Sequence, residues 1–330
     1  MKAIIQEKYG APGNLKLVEV DKPIPGDNEV LVKILAASLN AADLETLRGV
    51  AMVRLASPRR PMHKIPGSDI AGRVEAIGKN AKLFKPGDEV YVDLSGCGFG
   101  AFAEYACAPE DVLVPKPIGM SFVEAAAYPQ AAVIALQGLC EAPFGYSQQY
   151  KRPVQPDQHV LINGAGGGMG TFAVQIAKYF GAEVTGVDSA EKLELLRSLG
   201  ADHVIDYTQK DYTKLGERYD LILDVAAHRS IFSYSRALNP GGKFIMVGGS
   251  TIRLLQVLTL GKLMSRSDDK AIGINSWKAN NKEDLVFLEE LFDAGRVKPV
   301  IDKTFPLKQV PDAFRYLEDK PHFGKIVITI

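Results

Sequence analysis

The sequence predicts an α/β protein: a Rossmann-type doubly wound parallel sheet joined to a separate β-rich domain. Three observations carry this expectation. Strand and helix patterns alternate from Val160 to Asn275, the sequence form of a parallel sheet with helical crossovers. Short alternating segments separated by Gly/Pro/Asp turns fill residues 1–125, the pattern of an all-β unit. Five glycines crowd into the seven residues Gly164–Gly170, at one junction between an apolar run and a helical pattern.

The β-rich part reads as "KAIIQ", "LKLVEV", "EVLVKILAAS", "IAGRVEAIG", "EVYVDL", "FAEYACAP" and "VLVPKP", with turns such as "PGDNE" and "KPGDEV" between them. The alternating part then begins. "VLIN" is a buried strand and "GTFAVQIAKYF" a helix; "AEVTGVD" is a strand and "SAEKLELLRSLG" a helix. "HVIDY" and "YDLILDV" are strands, "SIFSYSRAL" a helix, and "GGKFIMVGG" and "KAIGIN" two further strands. A helix over "KEDLVFLEELFDAG" follows. "PVIDKTFPL", the helix "VPDAFRYLED" and the strand "KIVITI" return to the β-rich domain. The predicted division is 1–125 plus 276–330 for the β-rich domain and 126–275 for the sheet with crossovers. A length of 330 residues suits two cores rather than one.

Composition narrows the function. Lys plus Arg and Asp plus Glu balance at 39 each, so no nucleic-acid or acidic partner is indicated. The opening "MKAIIQEKYG" lacks the apolar core of a signal peptide, and no window is long and apolar enough for an integral membrane segment. Cys97, Cys107 and Cys140 form no CxxC pair and suggest a reducing compartment, with the cytoplasm as the default.

The crowded glycines have a physical use. Between a strand and a helix the chain must turn sharply, and an anion seats at the helix N-terminus, where backbone N–H groups and the dipole favour it. A β-carbon blocks that approach. Gly164, Gly167, Gly168, Met169 and Gly170 therefore form a candidate pyrophosphate cradle, although overlapping glycine spacings leave the frame open. The alternative is a merely tight turn. Asp188 ends the next strand, where a carboxylate accepts from an adenosine ribose and repels a 2′-phosphate, the NAD pattern. Ser189, Lys192 and Tyr207 lie just beyond and offer the donors a 2′-phosphate wants. Weighed by magnitude, this set predicts use of both cofactors, with NADP(H) slightly favoured over NAD(H). Lys192 as a solvated helix charge and Tyr207 as a strand-end aromatic are the plainer readings.

With these motifs in hand, the chain resembles the medium-chain dehydrogenase/reductases, in the zinc-free quinone oxidoreductase group. "SLNAADLETLRG", "PGSDIAGRVEAIG", "KPGDEVY", "GAFAEYACAP", "INGAGGGMGTFAVQIAK" and "GKIVITI" carry the resemblance along essentially the whole chain. It implies a GroES-like β domain, a Rossmann domain, an active-site cleft between them and a homodimer. Zinc-containing relatives have a cysteine near the position of Asn40, Gly-His-Glu where this chain reads Gly67-Ser68-Asp69, and a cysteine near Gln130. The soft ligands zinc requires are missing at all three places, the four-cysteine structural lobe is absent, and His63, His159, His203, His228 and His322 are scattered. No zinc is expected.

Without a metal to polarise an alcohol or carbonyl, hydride transfer suits an acceptor that is already electron-poor, a quinone or an α,β-unsaturated carbonyl. The expected activity is NAD(P)H-dependent reduction of such acceptors. An alkenal or enone double-bond reductase is the near alternative, and a low-turnover nucleotide-binding sensor or structural protein the distant one. The resemblance places Asn40 beside the nicotinamide, its amide orienting a substrate oxygen, against a loop cap as the plain alternative. Asp43 is a second candidate, balanced against a helix pair with Arg48. Tyr128 is a candidate acid or stacking residue, against simple packing. Ser68 and Asp69 replace zinc-site residues or hold the turn. Gly248 and Gly249 end the fifth strand of the Rossmann pattern, where backbone passes the nicotinamide. In residues 250–266, Leu254, Leu255, Leu258 and Met264 are expected to form an apolar acceptor pocket or a packing face, with membrane-surface contact as a lesser option. Residues 142–157 read as an extended surface loop without an assigned role.

Overall fold

The structure is a computed structural model of the chain, and it describes residues 1–140, 143, 153–264, 269–319 and 321–330. The larger part of the predicted 142–157 loop, and Arg266 in the 250–266 segment, lie outside the described residues. Contacts divide the chain into two units, Met1–Ala131 with Ala279–Glu289 and Pro299–Ile330, and Ala132–Lys278 with Glu290–Lys298.

The first unit is built on a seven-stranded mixed sheet. Its path runs Ile301–Pro306, Lys325–Thr329, Glu29–Ser38, Asp69–Ile77, Glu89–Asp93 and Val114–Pro115, and Tyr105–Pro109 also pairs with Glu29–Ser38. Lys2–Gln6 and Leu15–Glu19 form a separate antiparallel ribbon. Glu29–Ser38 holds this unit together, with apolar residues such as Val30, Val32 and Ile34 buried in its core. Phe102 and Phe314 meet edge to face at 5.9 Å within the same core. Truncating either ring would cost about 3–5 kcal/mol. The predicted strand "VLVPKP" shortens to Val114–Pro115; prolines have no N–H for a ladder.

This unit also carries helices that strand-like periodicity does not announce: Ala41–Arg48, Ala51–Ala56 and Phe122–Ala127. The last begins with a capping box in which the Glu124 N–H donates to Ser121 Oγ and the Ser121 N–H donates to the Glu124 carboxylate.

The second unit is a six-stranded, all-parallel sheet. Its strands in chain order are His159–Asn163, Glu183–Asp188, His203–Asp206, Tyr219–Asp224, Leu238–Met246 and Ala271–Ile274. Their spatial order is third, second, first, fourth, fifth, sixth. The order reverses beside the first strand, the switch point at which doubly wound sheets bind ligands. The helix Gly170–Tyr179 crosses from first to second strand with Phe172, Ala173, Val174 and Ile176 buried. The predicted helix after Asp188 starts as a 3-10 turn, Ala190–Lys192, before continuing as Leu193–Ser198.

Candidate active site

In the second unit the first strand ends at Asn163 and the glycine loop leads directly into the helix at Gly170. The loop is anchored by its own backbone: Gly164 and Ala165 both donate N–H groups to the Val187 carbonyl, at 2.9 and 3.1 Å. Two glycines then differ in kind. A β-carbon at Gly170 would lie 2.2 Å from the Gly164 carbonyl oxygen, so the turn itself requires glycine there. Among the described residues, a β-carbon at Gly167 would meet only that same oxygen, at 3.4 Å, an ordinary contact. The packing of the described residues leaves room for a β-carbon at Gly167. Gly168 is half-buried and Met169 is buried at the start of the helix.

Asp188 ends the second strand beside this loop. Its Oδ2 accepts the Gly166 N–H at 2.8 Å and its Oδ1 the Ser189 N–H at 2.9 Å. Lys192 is not a solvated helix charge: its ammonium lies 3.3 Å from Asp188 Oδ1, and both side chains are largely buried. The two residues expected to oppose each other over a 2′-phosphate are thus an ion pair. Tyr207 donates its backbone N–H to the Asp188 carbonyl at 3.2 Å and is 45% exposed as a residue. The structure therefore brings Gly166, Asp188, Ser189, Lys192 and Tyr207 together. Gly248 and Gly249 run against the chain following the fourth strand, where a β-carbon at Gly248 would stand 2.5 Å from the Val225 carbonyl oxygen.

One buried group here escaped the sequence reading. Asp224, at the end of the fourth strand, accepts from Asn163 Nδ2 at 2.7 Å, from Tyr212 Oη at 3.1 Å and from the Ala226 N–H at 3.0 Å. Burial raises its carboxyl above the usual range, and the hydrogen bonds oppose that shift. The signal was a polar residue closing each of two apolar runs, "VLIN" and "LILD".

The first unit holds a buried polar cluster. Register places Ser38 opposite Asp69, and Asp69 opposite Asp93, so the three lie in one row across adjacent strands and face the same side. Asn40 follows the first of these strands, and its Nδ2 donates to Asp69 Oδ2 at 3.0 Å and lies 3.4 Å from Ser68 Oγ. Gln130 Nε2 reaches Ser68 Oγ and Asp93 Oδ2, each at 3.5 Å. Asn40, Ser68 and Gln130, far apart in sequence, therefore do converge. Into the same cluster comes Lys325, whose ammonium donates to Asn40 Oδ1 and sits 3.6 Å from Asp69 Oδ2. Lys325 was not anticipated; a lone lysine opening the apolar run "KIVITI" was its only signal.

Asp43 reaches back from the helix Ala41–Arg48 to accept the Asn40 N–H at 2.8 Å. The alternative pair with Arg48 does not form, because that guanidinium is taken by Glu318. Burial pushes the Asp43 carboxyl up to about 7, against the pull of the Asn40 N–H and of Lys325. Burial likewise raises Asp69 and Asp93 and lowers Lys325. Tyr128 is wholly buried at the end of the helix Phe122–Ala127.

The helix Thr251–Met264 divides its apolar residues. Leu254 and Met264 pack on the core of the second unit, whereas Leu255 and Leu258 are more than half exposed. No helix among the described residues is long and apolar enough to cross a membrane.

A switch-point sheet with an open glycine loop, and a GroES-like unit with a buried polar cluster, define a two-domain oxidoreductase of the dehydrogenase/reductase class. Comparison with known proteins agrees. An alcohol dehydrogenase GroES-like domain profile matches residues 26–118, and a zinc-binding dehydrogenase profile matches residues 199–328. The chain is 35% identical to a 2-methylene-furan-3-one reductase of Solanum lycopersicum over 99% of its own length and 79% of that protein's. It is 33% identical to a chloroplastic NADPH-dependent alkenal/one oxidoreductase of Arabidopsis thaliana, over 99% of this chain and 79% of the relative. Among solved structures, the quinone oxidoreductase from Coxiella burnetii superposes with a TM-score of 0.86 at 28% identity, covering 100% of this chain and 99% of that one. The chain belongs to the medium-chain dehydrogenase/reductase superfamily, in the quinone oxidoreductase-like group, and is an enzyme of that type.

Proposed function

We propose that this enzyme reduces quinones and α,β-unsaturated carbonyls with NAD(P)H, prefers NADPH modestly, and does so without zinc. The observation that carries the reading is the make-up of the buried cluster: two amides, a hydroxyl and carboxylates linked to one another, with an ammonium against Asn40 and Asp69. Zinc requires three or four Cys, His or carboxylate ligands in tetrahedral array. Among the described residues no group of three or more such side chains is placed to hold a metal, and the Lys325 ammonium repels a divalent cation from this cluster. The residues therefore do not fit the zinc for which the matching dehydrogenase family is named.

They do fit a dinucleotide. Gly167 is open to a phosphate that a β-carbon would obstruct, and Gly168 and Met169 continue the cradle toward the helix N-terminus. Asp188 and Lys192 offer a carboxylate for a ribose hydroxyl and an ammonium for a 2′-phosphate. The reduced nicotinamide, when bound, supplies hydride. Asn40 offers the amide that orients an acceptor oxygen, and no metal is required, because conjugation in a quinone or enone already delocalises the incoming charge. The relatives named above are a 2-methylene-furan-3-one reductase, an alkenal/one oxidoreductase and a quinone oxidoreductase, which supports the same substrate class here. A homodimer is the proposed assembly.

The test is NAD(P)H oxidation with a panel of quinones and enones, each run with both cofactors and after exhaustive chelation. Turnover of conjugated acceptors but not of simple alcohols or saturated ketones, unaffected by chelator, is the expected result. Turnover confined to simple alcohols, or abolished by chelation, overturns the reading.

A further inference from the structure

We propose that Lys325 is a positioning residue: its ammonium locks the direction of the Asn40 amide and supplies the positive charge that the surrounding carboxylates require. The functional half of this inference rests on Asn40 facing the acceptor, as proposed above. The structural half does not.

Chemistry fixes the orientation. An ammonium has three N–H donors and no lone pair, so the Asn40 atom it meets must be Oδ1. That leaves Nδ2 directed at Asp69 Oδ2, an acceptor, at 3.0 Å. The amide thus stands between a cation and an anion. Flipping it would set NH₂ against ammonium and carbonyl against carboxylate, two repulsions in place of two charge-assisted bonds. Lys325 and Asp69 are 1% and 0% exposed, so neither charge is relieved by water. Asp69 leans on its neighbours through one atom: Ser38 Oγ, Asn40 Nδ2 and the Lys325 ammonium all converge on Oδ2, while the buried Oδ1 has no hydrogen-bond partner among the described residues.

The backbone is built to deliver this lysine. Gly324 has φ +67, and a β-carbon there would stand 2.3 Å from the Val300 carbonyl oxygen. Lys325 then donates its own N–H to that same carbonyl at 2.8 Å, and the Leu39 N–H donates to the Ile326 carbonyl at 3.0 Å. Residues 39–40 and 325–326 are thereby held side by side. A lysine needed only to neutralise Asp69 would have no call for an amide on its other side; here the amide is the shared ligand of both charges.

The experiment uses Lys325→Met, Lys325→Arg, Asn40→Ala, Asp69→Asn, and the doubles Lys325→Met/Asn40→Ala and Lys325→Met/Asp69→Asn. Steady-state turnover of methyl vinyl ketone and 9,10-phenanthrenequinone with NADPH is read beside NADPH affinity by fluorescence, Tm, and the Asn40 side-chain ¹⁵NH₂ signals. Those signals are assigned by their loss in Asn40→Ala. Lys325→Met is expected to lower kcat about tenfold to a hundredfold, as a misplaced orienting group does, with NADPH affinity unchanged. Its effect should vanish in the Asn40→Ala background, its ¹⁵NH₂ pair should shift and broaden, Lys325→Arg should recover part of kcat, and Asp69→Asn should restore much of the lost Tm. If Lys325→Met does not fold, the charge-balanced double with Asp69→Asn takes its place. Wild-type kcat in a folded variant without the Lys325 charge, an unshifted ¹⁵NH₂ pair, or strictly additive Tm losses overturns the proposal. Wild-type protein inert toward every acceptor refutes the proposed function instead, and the ¹⁵N and Tm readouts still decide the role of Lys325.

Discussion

Replacing Lys192 with alanine should lower the NADPH/NADH preference, by an amount that follows from the pair it forms with Asp188. The ammonium and carboxylate are 3.3 Å apart, with side chains 11% and 9% exposed. At an effective dielectric of about 20, such charges attract by roughly 5 kcal/mol before desolvation is subtracted. Asp188 already holds two backbone N–H donors, which keep it in place when Lys192 is removed. A 2′-phosphate then loses one charge-assisted hydrogen bond, worth about 1.5–3 kcal/mol, and faces a carboxylate that is no longer offset. Since every 1.4 kcal/mol is tenfold, the ratio of kcat/KM for NADPH to that for NADH should fall about tenfold to a hundredfold. A ribose diol, by contrast, still finds its acceptor, so NADH kinetics should hardly move. Tm should fall as well, because breaking a buried pair typically costs about 3–5 kcal/mol. Asp188→Ser should act in the opposite sense and widen the NADPH preference. The assay is kcat/KM for both cofactors in wild type and both variants at one ionic strength, with Tm alongside. A Lys192→Ala variant with reduced Tm and an unchanged cofactor ratio would refute the reasoning: the lysine would then serve Asp188 alone, and Asp188 would stand as an NAD signal.

Three further outcomes are expected. Gly167→Val should fold with near-native Tm yet lose NADPH binding in a fluorescence titration, whereas Gly170→Val should fail to fold, because its β-carbon would lie 2.2 Å from a carbonyl oxygen; native affinity in folded Gly167→Val removes that residue from the cradle. Chelator-washed protein should keep its activity and Tm, and stoichiometric zinc in washed, active enzyme contradicts the reading of the cluster. Asp43 should make stability fall with rising pH: burial lifts its folded value to about 7, while the unfolded value is about 4. Between those values the folded chain keeps a proton that the unfolded chain has released. The contribution is whole below about pH 4 and declines by up to about 1.4 kcal/mol per pH unit as the pH climbs to about 7. Asp43→Asn should flatten that slope in urea titrations, and an identical slope in the variant refutes the assignment.

What could be read from the chain follows the range of the forces involved. Periodicity is local, so the strand Glu29–Ser38 matches "EVLVKILAAS" end to end and the helix Val310–Asp319 matches "VPDAFRYLED". The glycine loop was legible because strand, turn and helix are contiguous. The helix Phe122–Ala127 had a local signal, Ser121 followed three residues on by Glu124, which a reading tuned to strands passes over. The cluster around Asn40 divides the same way. Asn40, Ser68 and Gln130 came from aligned motifs, but nothing near residue 40 indicates that Lys325 will meet it. That pairing depends on register between strands distant in sequence. Asp188 and Lys192, four residues apart, read in sequence as separate groups toward a ligand, but in the fold they pair with each other.

One edge of the strand Glu29–Ser38 is covered in two instalments. Glu29–Lys33 pairs with Tyr105–Pro109, but Ala36–Ser38 pairs with Val327–Thr329. The contact beside it, Lys325 to Asn40, spans 285 residues of chain. At a synthesis rate of about 5–20 residues per second, the end of that strand waits roughly 15–60 s for its neighbour. In that interval the second unit's six strands, which all lie between His159 and Ile274, can assemble. The first unit meanwhile presents a short unpaired edge and a row of carboxyl groups without their ammonium, the state most open to wrong pairing and to capture by chaperones.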